Sequence, residues 1–125
     1  MVRLTEADDA RLTLVVASGD LQPAEVVLAL STAVEAHAQR PVMWDMTAAR
    51  LSSLSSDDVR RVAQQALGSL ATLCACGQAA LVCSEDADFG VARMLATYVS
   101  LEGCPLQIGV FRGTDEAKRW LLGGG

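Results

Sequence analysis

The 125 residues, 51% of them apolar, suffice for one hydrophobic core and are too few for two ordinary domains. Ten basic residues against fifteen acidic ones leave a formal charge of -5, and the basic residues are scattered from Arg3 to Arg119, so no cationic face is expected to hold nucleic acid or anionic lipid. The stretch Met1–Arg11 alternates charge with Val and Leu instead of forming the apolar block of an export signal, and the apolar runs are repeatedly cut by polar residues; a cytoplasmic protein without a membrane span is expected.

In chain order, Val2–Thr5 and Arg11–Val16 flank the turn-rich Ala7-Asp8-Asp9-Ala10 and predict an opening β-hairpin. Pro23 suits a first helical position, Glu25 favours the positive helix end, and Val27, Leu30 and Val34 recur at helical spacing, which predicts a helix over 23–38. Pro41–Met46 is short and almost wholly apolar, the mark of a strand covered on both faces. After a Ser-rich loop, Ser55 or Ser56 is placed to cap a helix whose Val59, Val62, Ala66, Leu70 and Leu73 form one stripe, with Gly77 as its stop.

Ala79–Cys83 predicts a second buried strand. Ser84 then offers a cap for a helix carrying Phe89, Ala92, Ala96 and Val99 on one face, closed by Gly103 and Pro105. Leu106, Ile108 and Val110 alternate as in a strand, and Thr114, Asp115 and Glu116 open a last helix that turns Ala117, Trp120 and Leu121 inward. The order ββαβαβαβα predicts an α/β fold with a mixed five-stranded sheet and four helices, since strands separated by helices run parallel through right-handed crossovers. Residues 1–122 are expected to form one domain and 123–125 a frayed tail.

In such a sheet, ligands sit beyond the carboxyl ends of the parallel strands, here near Asp45, Thr47, Ser84, Glu85 and Arg112. The helix starts at that rim already carry Asp57, Asp58, Glu85, Asp86, Asp88, Asp115 and Glu116, which repel phosphates, and the chain has neither a GxGxxG stretch nor a Walker lysine. A receiver-type phosphoacceptor role for Asp45 lacks the early acidic pair and the late lysine, whose place Arg112 takes, so Asp45 is read as capping the loop after its strand. With His37 the only histidine, and without a GxSxG elbow, neither a multi-histidine metal site nor a Ser-His-Asp site is expected. Cys74, Cys76, Cys83 and Cys104 lie among small apolar residues and read as buried, reduced thiols rather than a metal set or redox pair. Trp44, Phe89, Tyr98 and Trp120 read as core, and Arg93, one turn into its helix, is expected to meet a carboxylate such as Asp45 or Glu85, or else a ligand.

The run Trp44-Asp45-Met46, the helix opening Phe89-Gly90-Val91-Ala92-Arg93-Met94, and Val110-Phe111-Arg112 with Glu116–Leu121 together resemble the SpoIIAA-like, STAS-related proteins over roughly residues 44–121. That resemblance implies the SpoIIAA-like mixed sheet and a regulatory role. It also places Arg93 beside the rim through the Phe-Gly-x-Ala-Arg motif. Anti-sigma factor antagonists of the STAS class carry Asp-Ser-Ser-Gly at the start of the second helix, with a phosphorylated serine; the matching stretch here, Leu51–Asp58, keeps serines but lacks the preceding Asp and the following Gly. Asp57 and Asp58 would oppose a phosphate there.

The expectation is a non-catalytic regulatory or binding domain, without cofactor or metal, that recognises a protein partner or a small apolar or acidic ligand through Asp45, Ser55, Ser56 and Arg93. Two rival readings are a small enzyme using Asp45 and Arg93 in a strand-end pocket, and a structural homodimer burying a helix face.

Overall fold

The structure, a computed structural model, describes residues 2–5, 12–37, 41–72, 78–104 and 106–123. Its elements are β1 (Val2–Thr5), β2 (Thr13–Asp20), α1 (Pro23–His37), β3 (Val42–Arg50), α2 (Ser56–Thr72), β4 (Gln78–Val82), α3 (Asp86–Leu101), β5 (Gln107–Phe111) and α4 (Thr114–Leu121). The order is the expected ββαβαβαβα. The five strands form one sheet in chain order, with β1 antiparallel to β2 and the other three neighbouring pairs parallel. The bridging residues of the opening hairpin, the Gly77 stop, Cys74, Cys76, Pro105 and the last two glycines lie outside the described residues.

Because the sheet always steps the same way, crossovers of one hand must stack α1, α2 and α3 on one face. Alternation along the strands supplies what they cover. Val15 and Ala17 of β2, Val42, Trp44 and Met46 of β3, and Ala79 and Leu81 of β4 join Val26, Ala29 and Leu30 of α1, Val59, Val62 and Ala63 of α2, and Ala92, Leu95 and Val99 of α3. The intervening Met43, Ala80 and Val82 point to the other face, where Ala117 and Leu121 of α4 cover them. A buried indole requires a partner, and Trp44 Nε1 donates to the Ala29 carbonyl at 2.9 Å, fixing α1 against the sheet. On the α4 face Phe111 and Trp120 pack at 5.4 Å between ring centroids, and a Cβ on Gly109 would lie 2.8 Å from the Phe111 ring and 3.2 Å from Trp120, so this position needs the missing side chain.

β3 differs from its sequence reading. It does not end at Met46 but continues to Arg50 through a bulge: Val16 faces Asp45, Ser18 faces Ala48, and β3 therefore spends one more residue than β2 over the same span. The extra residue reverses the alternation, so Val42, Trp44 and Met46 before it and Ala49 and Leu51 after it all reach the same core. Asp45 is thus inside the strand rather than at its end, and its Oδ1 accepts from the Thr47 N–H at 3.0 Å and the Thr47 hydroxyl at 2.7 Å within the bulge. β2 likewise runs past Val16 to Asp20. The N-cap of α3 is Glu85, not Ser84, and it makes no side-chain cap bond. α3 ends as read, with Gly103 at φ +83° and its N–H donating to the Ser100 carbonyl.

Candidate functional site

The parallel strands β2 to β5 deliver their carboxyl ends to one rim. There Leu21 N–H donates to the Arg50 carbonyl at 3.0 Å, joining the ends of β2 and β3, and Cys83 N–H donates to the Phe111 carbonyl at 2.9 Å, joining those of β4 and β5. Between them runs the β3–α2 turn, residues 51–55. Leu51 is buried, Leu54 half-buried, and Ser52, Ser53 and Ser55 are exposed, as is Ser56 at the first position of α2. Apolar residues anchor the turn and serines face outward.

Three sets of bonds fix it. Leu54 N–H donates to the Leu51 carbonyl at 3.0 Å. At the helix start, Ser55 Oγ accepts the Asp58 N–H at 3.1 Å while Asp58 Oδ2 accepts the Ser55 N–H at 3.0 Å, a reciprocal capping box. Hydrogen bonding to its carboxyl, from the Ser55 N–H foremost and the Ser55 hydroxyl next, holds Asp58 below the usual range, with Arg61 adding a smaller share. The third set comes from α3. Asp88, only 2% exposed, accepts the Leu51 N–H at 2.8 Å and the Ser52 N–H at 3.1 Å on one oxygen, while its other oxygen lies 3.5 Å from Arg50 Nη1.

Asp88 is the residue that sequence reading passed over, as one of several acids balancing a helix dipole. A signal was present. Asp88, Ala92, Leu95 and Val99 are the buried residues of α3, and their spacing of four, three and four sets a carboxylate at the head of the apolar stripe.

The residues expected to form the site are only partly brought together. Ser55 and Ser56 share the start of α2. Asp45 is half-buried in β3 and engaged with Thr47. Arg93 is exposed and forms no ion pair with Asp45 or Glu85 among the described residues. Val91 faces α2 across a shared apolar cleft, Tyr98 lies under Arg60 of α2, and Phe89 lies under Arg112. At about 100° per residue, Arg93 falls near the Phe89 flank and away from α2. Arg112, with its guanidinium 4.3 Å from the Phe89 ring centroid and paired with Asp86, clips β5 to the start of α3.

Cys83 is fully buried, and burial first, then the charges of Asp88 and Asp45, push its thiol up to about 12, which suits packing rather than redox or metal chemistry. Cys104 is half-buried and also free. No group of His, Cys, Asp and Glu fit to hold a metal occurs among the described residues, and no described helix is long and apolar enough to cross a membrane. The cleft beside the turn, lined by Val26, Leu51, Leu54, Val59, Val62, Val91 and Leu95, has a volume of about 10 Å³. Sites for small ligands run to hundreds of Å³ and add convergent polar groups, which this cleft lacks.

A strand-led mixed sheet with three crossover helices on one face and a terminal helix on the other is the SpoIIAA-like, STAS-type fold expected from the short motifs. Among solved structures, the chain is similar to the anti-sigma factor antagonist SpoIIAA in its unphosphorylated form, with a TM-score of 0.57 and 17% identity over 98% of this chain and 97% of that one. At that identity the likeness is one of fold. No family model matches the sequence, and no curated protein matches it.

Proposed function

We propose that residues 1–122 form a non-catalytic regulatory module that binds a protein partner through the serine turn and the start of α2. The observation that carries this reading is the turn itself: exposed Ser52, Ser53, Ser55 and Ser56 are presented on a backbone whose Leu51 and Ser52 amides bond to buried Asp88 and whose Ser55 amide bonds to Asp58, beside a cleft too small for a ligand. A preformed polar surface beside so small a cleft suits recognition of another protein better than turnover of a small molecule. The described fold neighbour is an anti-sigma factor antagonist, which supports a protein as the partner. Arg93, exposed on the other flank of α3, would meet an acidic group of a partner that straddles that helix. A cytoplasmic setting is part of the same reading.

Ser55 is the sensitive point. A negative side chain there removes the hydroxyl from the Asp58 N–H and stands against the Asp58 carboxylate, opening the capping box. A photo-crosslinking residue at Ser53 is expected to capture a discrete protein that the same residue at the exposed Leu101 does not. Ser55→Glu should abolish that capture, and Arg93→Ala should weaken it. Equal capture from both positions, or capture indifferent to Ser55→Glu, removes the proposal.

A further inference from the structure

We infer that Asp88 is the positioning residue of the serine turn: α3 supplies the anion around which the start of the Leu51–Ser55 segment is folded. This inference rests on the reading of that turn as the docking surface and adds what sets its shape.

Consecutive backbone N–H groups aimed at one point form a concave anion-binding nest. Leu51 and Ser52 form such a pair, and the anion is Oδ1 of a residue more than thirty positions later in the chain. The carboxylate is 2% exposed, so a partner does not reach it; its effect on binding runs through the turn. Without it, the remaining backbone bond described across the turn is Leu54 N–H to the Leu51 carbonyl, which satisfies neither the Leu51 nor the Ser52 amide. Arg50 cannot substitute, since it offers only donors, and its side chain is 55% exposed, where an ion pair contributes little. The capping box fixes the helix start but reaches back only to Ser55. The conformation that carries Ser52 and Ser53 into α2 is therefore set from α3. Movement of the α3 start would be transmitted to the serines, and the Arg112 contacts with Asp86 and Phe89 hold that start to β5.

Amide hydrogen exchange on the full chain tests this. In Asp88→Ala the Leu51 and Ser52 amides should exchange about tenfold faster or more, the consequence of losing charge-assisted bonds in a buried setting. Asp88→Asn keeps one carbonyl oxygen as an acceptor and should fall between Asp88→Ala and the wild type. In both, the Trp44 and Leu81 amides of the sheet should keep their wild-type protection once matched for global stability. Formate added to Asp88→Ala should slow exchange at Leu51 and Ser52, and chloride at equal ionic strength should not. Uniform acceleration at all four amides, unchanged protection at Leu51 and Ser52 in Asp88→Asn, or equal effects of formate and chloride would overturn the assignment; where Asp88→Ala does not fold, Asp88→Asn decides alone. The two readings separate cleanly. If Leu51 and Ser52 respond while Ser55→Glu leaves crosslinking intact, the docking surface lies elsewhere and the positioning role stands. If Ser55→Glu abolishes crosslinking while exchange in Asp88→Asn is unchanged, docking stands and the positioning role falls.

Discussion

The helices α2 and α3 both carry Asp at their third position and use it in opposite ways. In α2, Asp58 reaches back to the N–H of its own cap, Ser55, as Glu25 does to Gln22 at the start of α1. In α3, Asp88 leaves its own cap, Glu85, without a side-chain bond and instead holds the turn that leads into α2. The difference is the face. Asp58 stands toward solvent, where the nearest unsatisfied donors are those of its own helix; Asp88 heads the buried stripe of α3, where the nearest ones belong to another element. One residue type at one helical position thus gives local capping or tertiary locking, and burial decides which.

Breaking the tertiary member should cost most. Asp88→Ala strands two amides in or near the core and is expected to lose about 3–4 kcal/mol of unfolding free energy in urea. Ser55→Ala removes a cap that water partly replaces and should lose about 1 kcal/mol. Equal losses would mean that the Asp88 bonds are no more than another cap. Glu85→Ser sharpens the contrast from the other side: it gives α3 a hydroxyl cap of its own and should stabilise by a few tenths of a kcal/mol up to about 1 kcal/mol, with Leu51 and Ser52 exchange unchanged. Faster exchange at those two amides would show Asp88 drawn back into a capping box, and the comparison would then rest on Glu85 rather than on burial.

Much of the fold was legible because its signals are periodic. The apolar runs at Pro41–Met46 and Ala79–Cys83, the helical stripe of Val59, Val62 and Ala66, and the alternation of Ile108 and Val110 each answer to a local rule, and their order fixes the parallel sheet. The second half of β3 was not legible. Thr47, Ala48 and Arg50 are exposed and look like a loop, and a one-residue bulge erases the alternation that would have marked the strand. The site was legible in part for the same reason. Ser55 and Ser56 follow from capping chemistry, a short-range rule. Asp45 joins them only through a strand end that the bulge moves four residues on, Arg93 only through the motif that resemblance sets beside the rim, and the Asp88 bonds span too much sequence for any local rule to reveal.

The smallest effect concerns the acid limb of stability, where α2 and α3 part again. Asp58 has its carboxyl held below its usual value by the Ser55 N–H and hydroxyl and, less, by Arg61. A carboxyl lowered in the folded state binds its proton less readily there than in the unfolded chain, so its contribution is present above the ordinary Asp value and is lost as pH falls through the lowered one. Asp58→Asn should therefore leave melting near neutral pH slightly reduced and make the decline below about pH 4 shallower than in the wild type. Because Asp58 faces solvent, added salt should shrink the Arg61 share while leaving the Ser55 share, which is hydrogen bonding rather than distant charge. An acid limb identical in wild type and Asp58→Asn would locate the acid sensitivity in other carboxylates and leave the capping box as a purely geometric closure of α2.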